Sequence, residues 1–130
     1  MDRANVLAVV ERHIQAELNA DFDAIIATFS PDPYWKLLPQ GRVFEGRGAI
    51  RYWYETVIGG LARLNGRSEL LGMWSDGHAV VRRDYIEHDV PKGRFRFEVM
   101  SLIMVEADAV SAEMAYGWPD ASLIALGVSA

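Results

Sequence analysis

The chain has 130 residues, 51% of them hydrophobic and 24% charged, a balance that belongs to ordinary globular chains and excludes a disordered or fibrous one. Asp and Glu outnumber Lys and Arg by 18 to 13, so no excess positive charge is present to neutralise phosphates or hold an anionic surface; nucleic acid and membrane are not expected as partners. Cysteine is absent, which removes disulfides, thiolate metal sites and a cysteine nucleophile.

The start, Met1-Asp2-Arg3, runs straight into an amphipathic pattern without the features of a signal peptide, and no apolar run approaches the roughly 18 residues needed to cross a bilayer. The expectation is one cytoplasmic domain over residues 1–130. Val6, Val9, Val10, Ile14 and Leu18 recur at helical spacing, which predicts a first helix over residues 5–18. Asp21 is placed to cap a second, over residues 22–29, whose Phe22, Ile25, Ile26 and Phe29 share a face. Ser30-Pro31-Asp32-Pro33 then stops helical structure, because proline lacks an amide donor and pushes its neighbour to extended geometry. Short strands follow over 34–38 and 42–44, and a third helix over 46–64 carries the stripe Ile50, Trp53, Val57, Leu61 and Leu64, ended by Asn65-Gly66.

The second half reads as strands over 68–74, 78–89, 94–106 and 110–118, separated by the turn-like pairs Asp76-Gly77, Lys92-Gly93 and Asp108-Ala109. Four long strands with short turns predict an antiparallel meander, and helices followed by such a sheet predict an α+β class. The histidines His13, His78 and His88 show no i, i+4 pairing, and Gly46-Arg47-Gly48 lacks the lysine and length of a phosphate loop. The residues therefore suggest neither metal nor cofactor.

The pattern Asn19-Ala20-Asp21-Phe22-Asp23-Ala24-Ile25, then Phe29 and Asp32, then Phe44-Glu45-Gly46-Arg47-Gly48-Ala49-Ile50, resembles the SnoaL-like and ketosteroid-isomerase-like branch of the nuclear transport factor 2-like superfamily. The resemblance implies a cone of three N-terminal helices packed on a strongly curved antiparallel sheet. It also implies a pocket for a hydrophobic small molecule, and a homodimer formed through the outer side of the sheet. The family holds isomerases, dehydratases, cyclases, epoxide hydrolases and non-enzymatic binders, so membership does not supply a function.

Matching the strands to the family favours Val80, Arg82, Asp84, Ile86 and His88 facing inward on one strand, and Glu98, Met100, Leu102 and Met104 on the next. Arg82 and Asp84, one alternation apart, resemble the Arg-x-Asp segment of limonene-epoxide hydrolases, where one acid takes a proton from water, a second protonates the epoxide oxygen and Arg holds both. The second acid of that set falls on Ala115, with Glu113 one inward step earlier, and the water-holding Tyr and Asn fall on Trp35 and Leu37. An Arg-x-Asp pair on a strand is also a common surface ion pair.

His13 stands where ketosteroid isomerases carry an oxyanion-hole Tyr, but their base falls near Leu38 and their protonated acid near Leu102, which disfavours that chemistry. His13, Tyr34 and His88 together resemble the proton-moving set of scytalone dehydratases, although a packed helix histidine and a strand-end rim position account for His13 and His88 as well. Trp35, Trp53, Met100 and Tyr116 supply large apolar groups for a pocket, for the core or for a dimer face. Two readings remain. The first is a small cofactor-independent general acid/base enzyme with Asp84, Arg82 and Glu98 or Glu113 in the catalytic roles. The second is a non-catalytic binding or dimerisation domain.

Overall fold

The computed structural model describes residues 2–62, 66–90 and 92–119. Helix α1 (Arg3–Leu18) is capped by Asp2, whose carboxylate accepts from the Asn5 amide, and α2 (Phe22–Ala27) by Asp21, which accepts from the Ala24 amide. Strands β1 (Phe29–Leu38) and β2 (Arg42–Glu45) form a hairpin. Helix α3 (Gly46–Trp53) continues through a π-helical turn (Tyr54–Ile58) into α4 (Gly59–Ala62). Strands β3 (Gly66–Ser75), β4 (Ala79–Val90), β5 (Gly93–Glu106) and β6 (Ala109–Tyr116) follow as a meander. The predicted helix end at Leu64 and Asn65 lies outside the described residues.

The fold is α+β, with a six-stranded sheet in the order β2-β1-β6-β5-β4-β3. Three details differ from the expectation. Only α1 and α2 precede the first strand, and the sheet is mixed, because β1 runs parallel to β6 from Phe29↔Val110 to Leu38↔Tyr116. Helix α2 stops at Ala27 and Phe29 already belongs to β1, short of the expected helix end, while Pro31 and Pro33 sit inside β1 at the irregularity between Phe29 and Tyr34, where ladder pairing is interrupted and a missing amide costs little.

Helix α1 lies across β3 to β6 and buries Val6, Val9 and Val10 with Ile25, Phe29 and Ile103. On β5 burial alternates strictly at first: Phe95, Phe97, Val99, Ser101, Ile103 and Val105 point to the helices, and Arg94, Arg96, Glu98 and Met100 point away. The expected inward set Glu98, Met100, Leu102 and Met104 is therefore the outer one. On β4 the expected parity matches the geometry, with Val80 and Ile86 buried and Arg83 exposed. The alternating apolar residues Val110, Ala112, Met114, Tyr116 and Trp118 do not form one face, because a register shift intervenes: Val110 pairs with inward Val105, but Ala112 pairs with outward Met104. Beyond that shift Glu113 and Ala115 turn inward, and Tyr116 is exposed.

Gly117 adopts φ +109, and a β-carbon there would lie 2.2 Å from the Glu98 carbonyl oxygen; Gly48, inside α3, has open space around it. Gly117→Ala is expected to destabilise the fold by about 2 kcal/mol or more. Gly48→Ala is expected to stabilise it by up to about 1 kcal/mol. Urea unfolding of both variants checks the contrast.

Candidate functional site

The inner face of the sheet and the underside of α1 enclose a cavity of about 430 Å³, within the usual range for small-molecule sites. Ile14, Leu18, Ile58, Leu61 and Trp118 give it apolar walls. Its polar lining comes from Glu17, Arg67, Ser68, Arg82, Asp84, His88, Ser101 and Glu113.

Arg82 and Asp84 share the inner face of β4 because strand side chains alternate. The guanidinium grips the carboxylate as a fork, Nη2 to Oδ1 at 2.9 Å and Nε to Oδ2 at 3.3 Å. Both are mostly shielded, with side-chain exposures of 14% and 20%, so the pair opens on the cavity and not on bulk water. Nε and one Nη2 proton are used in this fork, which leaves further guanidinium N–H groups for another acceptor. Ser101 is the register partner of Arg82, and Ala115 the register partner of Ser101. Ala115, where a second acid would complete the epoxide-hydrolase arrangement, is a fully buried methyl group in the same row.

Glu113 lies elsewhere in the cavity. It pairs across β5 with Ile103, which pairs with Val80, so it is two strands across and four residues along from Asp84. On a flat sheet their α-carbons would be roughly 16 Å apart. Its neighbours are the fully buried His13, Glu17 from the next turn of α1, and Tyr54 from the π-helical turn. His13 Nε2 is 2.6 Å from Glu17 Oε1 and 3.1 Å from Glu113 Oε1, with the Tyr54 hydroxyl 3.3 Å away.

The protonation of this cluster follows from its donors. The single hydroxyl proton of Thr28 goes to the Ile25 carbonyl at 2.6 Å, so Thr28 Oγ1 must accept from His13 Nδ1, 2.7 Å away. With Nδ1 protonated, a bare Nε2 would set its lone pair against two carboxylates; a second proton makes the ring an imidazolium that both attract. Burial alone would lower the His13 pKa, but the charge of Glu17 and the hydrogen bonds to Glu113 and Glu17 raise it from 6.5 to about 10. Burial pushes the Glu113 carboxyl up, and Glu17 adds to the rise against the pull of His13. The buried Tyr54 hydroxyl is raised as well, first by burial and then by the two carboxylates.

His13, Glu17 and Glu113 are also the one group among the described residues that brings three metal-type donor atoms within 4.8 Å of one another. Contacts of 2.6 and 3.1 Å are, however, those of shared protons. Ligands spread tetrahedrally round a zinc ion at about 2.0–2.2 Å would stand farther apart.

The structure distributes the sequence candidates in three ways. Arg82, Asp84, His88 and Glu113 line the cavity, and His13 backs it through Glu17 and Glu113. Trp35 and Trp53 are core residues, stacked at 3.9 Å between ring centroids, and Trp53 meets Trp118 edge-on. Glu98, Met100, Leu102, Tyr34 and Tyr116 do not face the cavity: Glu98 binds Arg83 on the outer side of the sheet, and Met100, Tyr34 and Tyr116 are exposed there. Glu17, Tyr54 and Thr28 escaped the sequence reading. Glu17 carried a signal, its i, i+4 spacing from His13 on one helix face, whereas the π-helical turn that buries the adjacent Trp53 and Tyr54 together has none.

Because the His13 pKa is raised on folding, the stabilisation is complete below pH 6.5 and is lost as pH rises through about 10. The upward shift of Glu113 acts in the same direction. The thermal unfolding temperature is therefore expected to fall between pH 7 and 10, and less so in His13→Gln. At pH 7, His13→Gln leaves the buried Glu113 and the partly buried Glu17 without their counter-charge and should cost about 3 kcal/mol, measurable by urea titration.

The comparisons with known proteins agree with this architecture. The sequence matches the SnoaL-like domain family over residues 10–113. No curated protein matches it. Among solved structures it is similar to an LEH-like epoxide hydrolase of M. tuberculosis, with 17% identity, 97% of this chain and 90% of that one covered, and a TM-score of 0.71. It is also similar to an NTF2-like protein of Burkholderia xenovorans LB400, with 15% identity, 98% of each chain covered and a TM-score of 0.72. A third likeness is Bal32a, from a soil-derived mobile gene cassette, with 15% identity, coverage of 89% and 91%, and a TM-score of 0.75. At these identities the structural likeness speaks for the fold, and the family match over residues 10–113 decides membership: the chain belongs to the SnoaL-like family.

Proposed function

We propose that the chain is a cofactor-independent enzyme that binds a mainly apolar small molecule in the cavity and moves a proton on it, with Asp84 as the general base. The observation that carries this reading is the forked Arg82–Asp84 pair, turned inward and shielded. A carboxylate fixed in that way presents its remaining lone pairs to a substrate C–H or O–H. The same carboxyl, once protonated, can return the proton to another atom of the substrate. The unused N–H groups of Arg82 meet the negative charge that develops on a substrate oxygen. Isomerisation and the gain or loss of water fit this single-carboxyl cycle. Opening an epoxide by two facing acids fits less well, because Ala115 stands where the second acid would be and Glu113 is displaced along the sheet. Glu98, on the outer face, has no part in it.

The outer face of the sheet supports a second element of the reading, a homodimer. Trp74, Met100 and Tyr116 are exposed there beside the half-buried Leu102, Met104 and Met114, a larger apolar patch than isolated surface residues make. Sedimentation analysis of Met100→Lys should shift a dimer to monomer; a monomeric wild type contradicts this element.

Incubation of the protein in D₂O with a panel of apolar carbonyl compounds tests the base directly. Wild type should exchange a substrate hydrogen for deuterium, and Asp84→Asn should lower the rate by about 10²–10⁴ while keeping the urea midpoint. Arg82→Gln should slow it as well. Equal exchange by wild type and Asp84→Asn would remove Asp84 from the chemistry.

A further inference from the structure

Two carboxylate-bearing sites on the cavity lining are well separated, and only one of them is used by the proposed proton transfer. At the Arg82–Asp84 end, one cation meets one anion. At the other end two carboxylates, Glu17 and Glu113, face one ring nitrogen of His13, and the second ring proton is committed to Thr28. The described ion pairs bring no Lys or Arg to either carboxylate. The Tyr54 hydroxyl contributes one proton to Glu17 at 3.3 Å and no charge. The Trp35 indole N–H is fully buried without a hydrogen bond of normal geometry, yet lies near enough to Glu113 to help hold it charged. The polar groups that reach the two carboxylates are thus all donors, and with both glutamates ionised the sum is one positive charge against two negative ones. Burial pushes the Glu113 carboxyl up, and the neighbouring charge of Glu17 adds to the rise.

Both carboxylates line the cavity, and Glu17 keeps 17% of its side chain accessible. Beside them stand Ile14, Leu18, Ile58 and Leu61, which offer no hydrogen bond and no charge. A ligand that completes this end must bring a cation and N–H donors, and must be apolar elsewhere.

We infer that the substrate class is an apolar molecule carrying a protonated amine, with its ammonium held by Glu17 and Glu113 and its reacting carbon or oxygen at Arg82 and Asp84. The inference rests on the proposed function for the second half of that sentence and on the cavity alone for the first. A small inorganic cation fits less well, since the donor atoms are already at hydrogen-bond distances from one another while the apolar walls of the cavity would be left facing water. Two anchors far apart also impose a direction on the bound molecule, which a purely apolar cavity would not.

The probes are 2-cyclohexylethylamine and 2-cyclohexylethanol, similar in shape and differing in charge, measured by isothermal titration at pH 7.5 and low salt. The amine is expected to bind at least about tenfold more tightly than the alcohol, the usual scale of a hydrogen bond between charged groups. The preference should fall to within about threefold in Glu17→Gln and in Glu113→Gln, and survive in Asp84→Asn. Equal binding of the two probes by wild type overturns the inference without any variant being needed. So does a preference unchanged in both glutamine variants, or stabilisation by Zn²⁺ or Mn²⁺ with no binding of the amine. The readout separates the two claims: an amine preference with equal deuterium exchange by wild type and Asp84→Asn would count against the base, and Asp84-dependent exchange without amine preference against the ammonium site.

Discussion

One ring nitrogen ties the molecule together. His13 Nε2 is shared between a carboxylate of its own helix and one of the last strand, and the tyrosine of the π-helical turn closes over it. Its partner nitrogen is pinned through Thr28 to the end of α2. Four elements distant in sequence therefore meet at a single buried charge. A buried ion pair gains little net stability over a well-packed apolar core, because desolvation offsets most of the attraction. What it gives here is position: Glu17 and Glu113 are held at the cavity wall in one arrangement.

The frame that carries this charge is ordinary packing. Val6, Val9 and Val10 set α1 on the inner face of the sheet, and strict alternation on β5 buries Phe95, Phe97 and Val99 beneath it. The cavity remains where the sheet side chains become polar or small, at Arg82, Asp84, Ser101 and Ala115. The tryptophan stack of Trp35, Trp53 and Trp118 fills one side of that space and so bounds the cavity. The carboxylates of the hollow thus stand at two spots, in the charged pair on β4 and beneath α1, while Arg67, Ser68, His88 and Ser101 complete its polar lining.

Most of the fold is legible in the residues. Helical spacing and capping aspartates give α1 and α2, and turn residues with β-branched runs give the meander. The inward parity of β4 comes from matching the strand to the family, because both of its faces mix charged and apolar residues. On β5 the two faces are also hard to tell apart, because Leu102 and Met104 are as apolar as Ile103 and Val105. The informative half is Arg94 to Glu98, where charges alternate with Phe95 and Phe97 and mark the opposite face as inner. The register shift near Val110 reverses the parity of β6, and no residue announces it. For the site, Arg82, Asp84 and Glu113 stand out by type and spacing. The partners of His13 do not: they come from four elements, and only the i, i+4 relation with Glu17 is local.

The central physical claim is that His13 is an imidazolium with protons on both ring nitrogens, held so by two carboxylates. Nitrogen-15 NMR of the labelled histidine rings at pH 8.5 tests it without a ligand, a substrate or a substitution. The account predicts two protonated-type ring-nitrogen shifts for His13, coupled to two slowly exchanging ring protons. One protonated and one bare nitrogen on His13 at that pH would contradict it, and the charge imbalance argued for this end of the cavity would no longer hold.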